Sequence, residues 1–141
     1  MLDCPTILEA VLGSIMGIRP DPDADPEAVG MATIVAVTPG VVAGLPVAKE
    51  VFGRLGVRMR ALVNDGDVVA PGQAVAQVGG AVAAIRGAAP VALTWLPRLS
   101  AVATGAVPPA QADPLETYAA GLSPPDAVAE AGPSFRMEYE G

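Results

Sequence analysis

Arg58 and Arg60 could hold an anion between them, and Asp21, Asp23, Asp25 and Glu27 form an acidic run that could attract a hard cation. Each group has a plainer reading. Val57, Met59, Ala61 and Val63 alternate with Arg58, Arg60 and Leu62, which puts the arginines on the wet side of a half-buried strand, where charge protects an exposed edge. The acids alternate with Pro20, Pro22 and Pro26. Prolines obstruct helix and ladder pairing, and calcium loops need glycine turns at fixed ligand spacing, so a solvated linker is expected over 19–28. Composition closes other chemistries. The sequence has no histidine and one cysteine, Cys4, which removes imidazole catalysis, the usual zinc sites and any internal disulfide. No cofactor and no metal are implied.

The 141 residues suit one domain, and 52% of them are apolar with 16% charged, enough to bury a core. Aromatics are only 4%, so Ala and Val supply most of that core, and each removes less area from water than Leu or Phe. A thin core, or one completed by a partner, is expected. Eight Lys and Arg against fifteen Asp and Glu give a net charge of −7, and the basic residues are scattered. Nucleic acid needs clustered cations and is not expected as a partner. No apolar run is long enough to span a membrane and the N-terminus lacks a secretory pattern, so the expectation is cytoplasmic, with no membrane contact.

Apolar positions Ile7, Leu8, Val11, Leu12 and Ile15 predict an amino-terminal helix within 1–18. After the linker, 32–38 reads as a β-branched strand turned by Pro39-Gly40. A helix over 45–55 carries Val47, Val51, Phe52 and Leu55 on one face and ends at Gly56. Asp65-Gly66 and Pro71-Gly72 are tight-turn pairs around two short strands in 64–78. Such a double turn also occurs in barrel-sandwich domains that carry lipoyl or biotinyl groups on a lysine, but the only lysine, Lys49, falls on the preceding helix. The segment 82–85 reads as a further strand and 90–96 as a helix that Pro97 must kink or end. From Gly105 onward, prolines at 108, 109, 114, 124, 125 and 133 predict an extended tail, closing on 134–140, whose side chains alternate at period two.

Three blocks taken together resemble the amino-terminal domain of quinolinate phosphoribosyltransferase, also called nicotinate-nucleotide pyrophosphorylase (carboxylating). They are Gly40-Val41-Val42-Ala43-Gly44-Leu45-Pro46-Val47-Ala48, then Asp65-Gly66-Asp67-Val68-Val69-Ala70-Pro71-Gly72, then 93–104, which begins Leu93-Thr94-Trp95 and ends Ser100-Ala101-Val102-Ala103-Thr104. Their order and spacing follow the family over 29–104. The resemblance implies an α+β fold, a small sandwich of short antiparallel strands with one or two packed helices, like the barrel-sandwich or hammerhead amino-terminal domain of that enzyme. It implies four regions: a helix in 1–18, the linker 19–28, the family-like unit 29–104 and the tail 105–141. It further implies a domain that, in the family, helps close a neighbouring subunit's active site and precedes a catalytic barrel, for which the residues after 104 leave no room.

The family's Glu-Arg pair, whose arginine reaches the anionic ligand, falls in register on Ala89 and Pro90, and its helix asparagine on Thr94. Arg86 and Arg98 are the remaining candidates for an anion contact. No catalytic residue is carried over. The resemblance therefore implies a non-catalytic module of protein binding or assembly, in a homodimer or heteromer, with Phe135, Met137 and Tyr139 of the tail as candidate partner-binding residues. The rival is a split subunit that completes a pentosyl-transfer site in trans with a separate barrel chain.

Overall fold

The computed structural model describes residues 17–105, 114–122 and 132–140. The amino-terminal helix expected within 1–18 falls almost wholly outside them. The chain order is β1 (Val29–Ala36), β2 (Gly40–Val41), α1 (Leu45–Gly53), β3 (Arg58–Ala61), β4 (Val68–Val69), β5 (Ala74–Ala81), α2 (Val82–Thr104), α3 (Pro114–Ala120) and β6 (Phe135–Glu140). The fold is α+β.

One antiparallel sheet has the order β3-β5-β1-β6, and β2 pairs with β4 in a second, two-stranded ladder. The turns at Asp65-Gly66 and Pro71-Gly72 work as expected, with Gly66 and Gly72 at φ 96° and 83°, a region that glycine enters without a Cβ clash. One inner face of the large sheet carries Ala32, Ile34, Ala36, Met59, Ala76 and Val78, all buried. Helices α1 and α2 cover that face. Trp95, Phe52, Ile34, Ile85, Leu96, Leu99 and Leu115 are bulky members of an otherwise Ala- and Val-dominated core.

Helix α1 follows its sequence pattern. Leu45, Val47, Ala48, Val51 and Phe52 are buried and Pro46 sits in the first turn, where its missing N–H would have had no helical partner. Gly44, before the helix, has φ 102°, and an added Cβ would stand 2.9 Å from Leu99 Cδ1. The positive φ requires glycine there, and Leu99 would have to shift to admit a side chain.

Helix α2 departs from expectation. The segment read as a strand over 82–85 is its first turn, and the helix runs 23 residues through both Pro90 and Pro97. An interior proline removes one ladder bond and costs about 3 kcal/mol. Here Pro90 is exposed and Pro97 only half-buried, while Ala83, Ala84, Ala88, Ala89, Ala92, Leu96 and Leu99 are buried on the other side. Packing of that small-residue face holds the helix together across its two prolines. At Gly87 the backbone of Arg19 and Pro20 crosses so closely that any Cβ would strike the Arg19 carbonyl.

The region read as an extended tail contributes two elements to the same fold. Helix α3 buries Leu115 and Ala119 completely, and β6 pairs antiparallel with β1 from Met31↔Glu140 to Ala36↔Phe135. Within 19–28, Asp21 Oδ1 accepts from the Asp23 amide and Asp25 Oδ1 from the Glu27 amide, each at 2.9 Å. Two of the acids thus close local turns.

Candidate functional site

Helix α2 carries the family-like block, and it meets the rest of the fold through two hydroxyls one turn apart. Ser100 Oγ accepts from the Ala43 amide at 2.9 Å and donates to the Ala43 carbonyl at 3.1 Å. Thr104 Oγ1 does the same to Val41, accepting at 3.0 Å and donating at 3.3 Å. Both are buried. A helix face thereby acts as a neighbouring strand for 41–43, satisfying backbone groups that would otherwise be orphaned.

A second polar cluster lies where α3 approaches α1. Asp65 Oδ1 accepts from the Leu45 amide at 3.0 Å, and Oδ2 from the Gly44 amide at 3.1 Å and from the Tyr118 hydroxyl at 2.8 Å. The carboxylate caps the positive end of the helix. Burial, then the Asp65 hydrogen bond, then the Asp65 charge, push the Tyr118 phenol above its ordinary range. Lys49, Asn64, Met59 and Val63 complete a recess of about 490 Å³ beside this pair. The sequence reading missed both clusters. Asp65, at the head of a turn between two short strands, gave no sign of a helix 20 residues earlier; Ser100 and Thr104 at i,i+4 were legible as one helix face but not as partners of a strand.

The arginines singled out from the sequence do not converge. Arg86 is exposed, with its Cζ 5.1 Å from the centroid of the Tyr139 ring. Arg98 is exposed, with its Cζ 4.7 Å from the Trp95 ring centroid. Twelve residues of helix separate them by about 18 Å along the axis and about a third of a turn around it. Between them Ala89 is buried and Pro90 exposed. Phe135 and Met137 are half-buried against the core of their own chain, and Tyr139 is 46% exposed under Arg86. So Arg86 and Tyr139, candidates for different roles, lie against one another.

Arg58 and Arg60 are exposed on β3, at one edge of the sheet. With Val29, Met31, Gln77 and Gly79 they line an open groove of about 740 Å³ on the face of the sheet away from the helices.

Residues 15–100 match the family model of the quinolinate phosphoribosyl transferase N-terminal domain. The chain belongs to that family. Among solved structures it is similar to nicotinate-nucleotide pyrophosphorylase from Francisella tularensis, at TM-score 0.65 and 18% identity, covering 75% of this chain and 40% of that one. NadC from Streptococcus pyogenes aligns at TM-score 0.60 and 26% identity, covering 72% of this chain and 39% of that one. For nicotinate-nucleotide pyrophosphorylase from Ehrlichia chaffeensis the TM-score is 0.66 at 16% identity, over 86% of this chain and 53% of that one. The chain thus spans 39% to 53% of the length of these relatives. No curated protein matches it by sequence. Among the described residues, no helix of this quinolinate phosphoribosyl transferase N-terminal domain is long and apolar enough to cross a membrane.

Proposed function

We propose that this chain works by contact and not by turnover, as a non-catalytic binding or assembly module built on the quinolinate phosphoribosyl transferase N-terminal domain. The observation that supports this most is the state of α2 at the positions of the family's Glu-Arg pair. Ala89 is buried and Pro90 carries neither charge nor donor. Phosphoribosyl transfer from a pyrophosphate donor relies on cations placed where negative charge develops. Arg86 and Arg98, the two replacements within reach in sequence, are drawn onto different aromatic rings, so they present no joint clamp.

The test is direct. Purified chain supplied with quinolinate, the phosphoribosyl donor and magnesium is expected to form no nicotinate mononucleotide, and measurable product overturns the reading.

The names and lengths of the relatives support a second reading, a split subunit. The Francisella tularensis relative is a nicotinate-nucleotide pyrophosphorylase of which this chain covers 40%, so a separate barrel chain could supply the remainder and form the site in trans. Purification at native expression level separates the two. Co-purification of a barrel chain with pentosyltransferase activity favours the split subunit; a partner without that activity, or self-association alone, favours the module.

A further inference from the structure

The outer face of the large sheet is self-complementary. In its register, residues directly opposite one another point to the same side. One row across the four strands reads Arg58, Gly79, Met31 and Glu140, and the next reads Arg60, Gln77, Thr33 and Glu138. The alternate row is Met59, Val78, Ala32 and Tyr139, in which Met59, Val78 and Ala32 are buried and Tyr139 meets Arg86 of α2. The side chains of Arg58, Met31, Arg60, Gln77, Thr33 and Glu138 therefore face away from the helices.

Arg58, Arg60, Met31 and Glu138 are exposed on that side, Met31 at 48%. Val29, on the same face and next along β1, is 78% exposed. An apolar centre flanked by Arg58 and Arg60 on β3 and by Glu138 on β6, with Arg136 beside it, is an interface pattern more than a solvated surface.

We infer that the outer face of the sheet pairs with the same face of a second copy of this chain, about a two-fold axis that runs parallel to the strands between β5 and β1. Rotation about that axis exchanges β3 with β6 and β5 with β1 while keeping each row level. Arg60 then faces Glu138 of the second copy, Gln77 faces Thr33, and the Met31 side chain faces the bare backbone of Gly79. Each contact occurs twice, as an isologous interface requires. Sheets packed face to face lie about 10 Å apart, a gap that an arginine and a glutamate side chain span together.

Charge complementarity decides the occupant. Neither Arg58 nor Arg60 has an ion-pair partner among the described residues. Glu138 touches Arg136 at 3.4 Å, with both side chains more than half exposed, a surface pair too weak to hold it from a better partner. Residues 1–16 are one competing occupant within the chain. Next to them, Ile18 packs on the core and Arg19 crosses α2 at Gly87, both on the helical side of the sheet.

This inference rests on the reading of the chain as an assembly module and names its partner. The test uses charge exchange in the full chain, read by sedimentation and multi-angle light scattering over micromolar concentrations. Wild type is expected to dimerise, and Arg60→Glu or Glu138→Arg alone to raise the dimer dissociation constant at least tenfold. An equimolar mixture of the two single variants should recover the dimer, since each new pairing is again opposite in sign, and so should the double variant. Gly79→Ala is the second probe. An added Cβ there stands 3.8 Å from Met31 Cγ, an ordinary contact, so the monomer keeps its fold while the recess for the partner's Met31 is filled and association falls.

A monomeric wild type, unchanged association in the single variants, or no recovery in the mixture overturns the proposed interface. Removal of residues 1–16 that creates a dimer from a monomer assigns the face to that segment and equally overturns it. None of these outcomes bears on turnover, which the nicotinate mononucleotide assay reads separately.

Discussion

The Tyr118 hydroxyl donates to Asp65 at 2.8 Å through the same oxygen that accepts from the Gly44 amide, so a single carboxylate ties α3 to the start of α1. The two residues come from regions that the sequence reads as separate, a turn between short strands and a proline-punctuated tail. Their contact fixes α3 over the recess that Lys49 and Asn64 border.

Titration of Tyr118 should mark the alkaline limit of stability. Its phenol keeps its proton in the folded chain at pH values where the unfolded phenol, with a pKa of about 10, has lost it. The folded state then binds more protons than the unfolded one, so this contribution is full below about pH 10 and is lost as pH rises towards the folded value. Urea midpoints measured from about pH 8 to 11 should fall more steeply for wild type than for Tyr118→Phe. At pH 7 the variant should be less stable by about 1 kcal/mol. Parallel alkaline limbs would show that the phenol is not held by Asp65.

Asp65 carries more than its tie to tyrosine. Asp65→Ala leaves the amides of Gly44 and Leu45 without their acceptor at the start of α1, and loss of such a cap costs about 1 to 2 kcal/mol. Combined with Tyr118→Phe, the loss should be smaller than the sum of the single effects, because both remove the same hydrogen bond. Strict additivity in denaturant titrations would contradict the shared contact.

The hydroxyls of α2 should separate by burial. Ser100→Ala strips Ala43 of a donor and an acceptor in a fully buried setting, at a cost of about 2 to 3 kcal/mol. Thr94 lies on the same helix, is exposed, and donates to the Pro90 carbonyl at 2.8 Å. Thr94→Ala should change stability by no more than about 0.5 kcal/mol. Similar losses for the two in thermal unfolding would mean that the pairing with 41–43 adds nothing.

The elements that the sequence made legible are those whose signal is local. The alternation around Arg58 and Arg60 predicted an edge strand, and β3 lies at the sheet edge with Met59 inward. The apolar spacing of Val47, Val51, Phe52 and Leu55, closed by Gly56, predicted α1. Helix α2 was misread because Val82 to Ile85 has no helical cap and the two prolines speak against a continuous helix; what overrides them is burial of alanines against a sheet that is not visible from the segment itself. The Asp65–Tyr118 and Ser100–Ala43 contacts span 53 and 57 positions, and no spacing rule reaches that far. The family resemblance reached the fold, since its first two blocks and most of the third fall within the matched residues 15–100.

Deleting 134–141 tests what β6 does. The sequence suggested a recognition strand presenting Phe135, Met137 and Tyr139, a role that predicts unchanged stability on truncation. In the fold these three lie on the inner side of β6, where Phe135 and Met137 pack on the core and the Ser134 carbonyl accepts from the Val37 amide at 2.7 Å. Half-burial of two such side chains contributes about 3 kcal/mol, and removing them strips one edge of β1 of its partner. The truncated chain should therefore melt about 10 °C lower and become prone to association through the bared β1 edge. The side of β6 available to a partner is the one that carries Glu138. Met137→Ala should then cost stability without weakening dimerisation, and Glu138→Arg should weaken dimerisation without costing stability. The reverse pattern, read by melting and sedimentation on the same samples, would return the recognition role to the inner aromatic face.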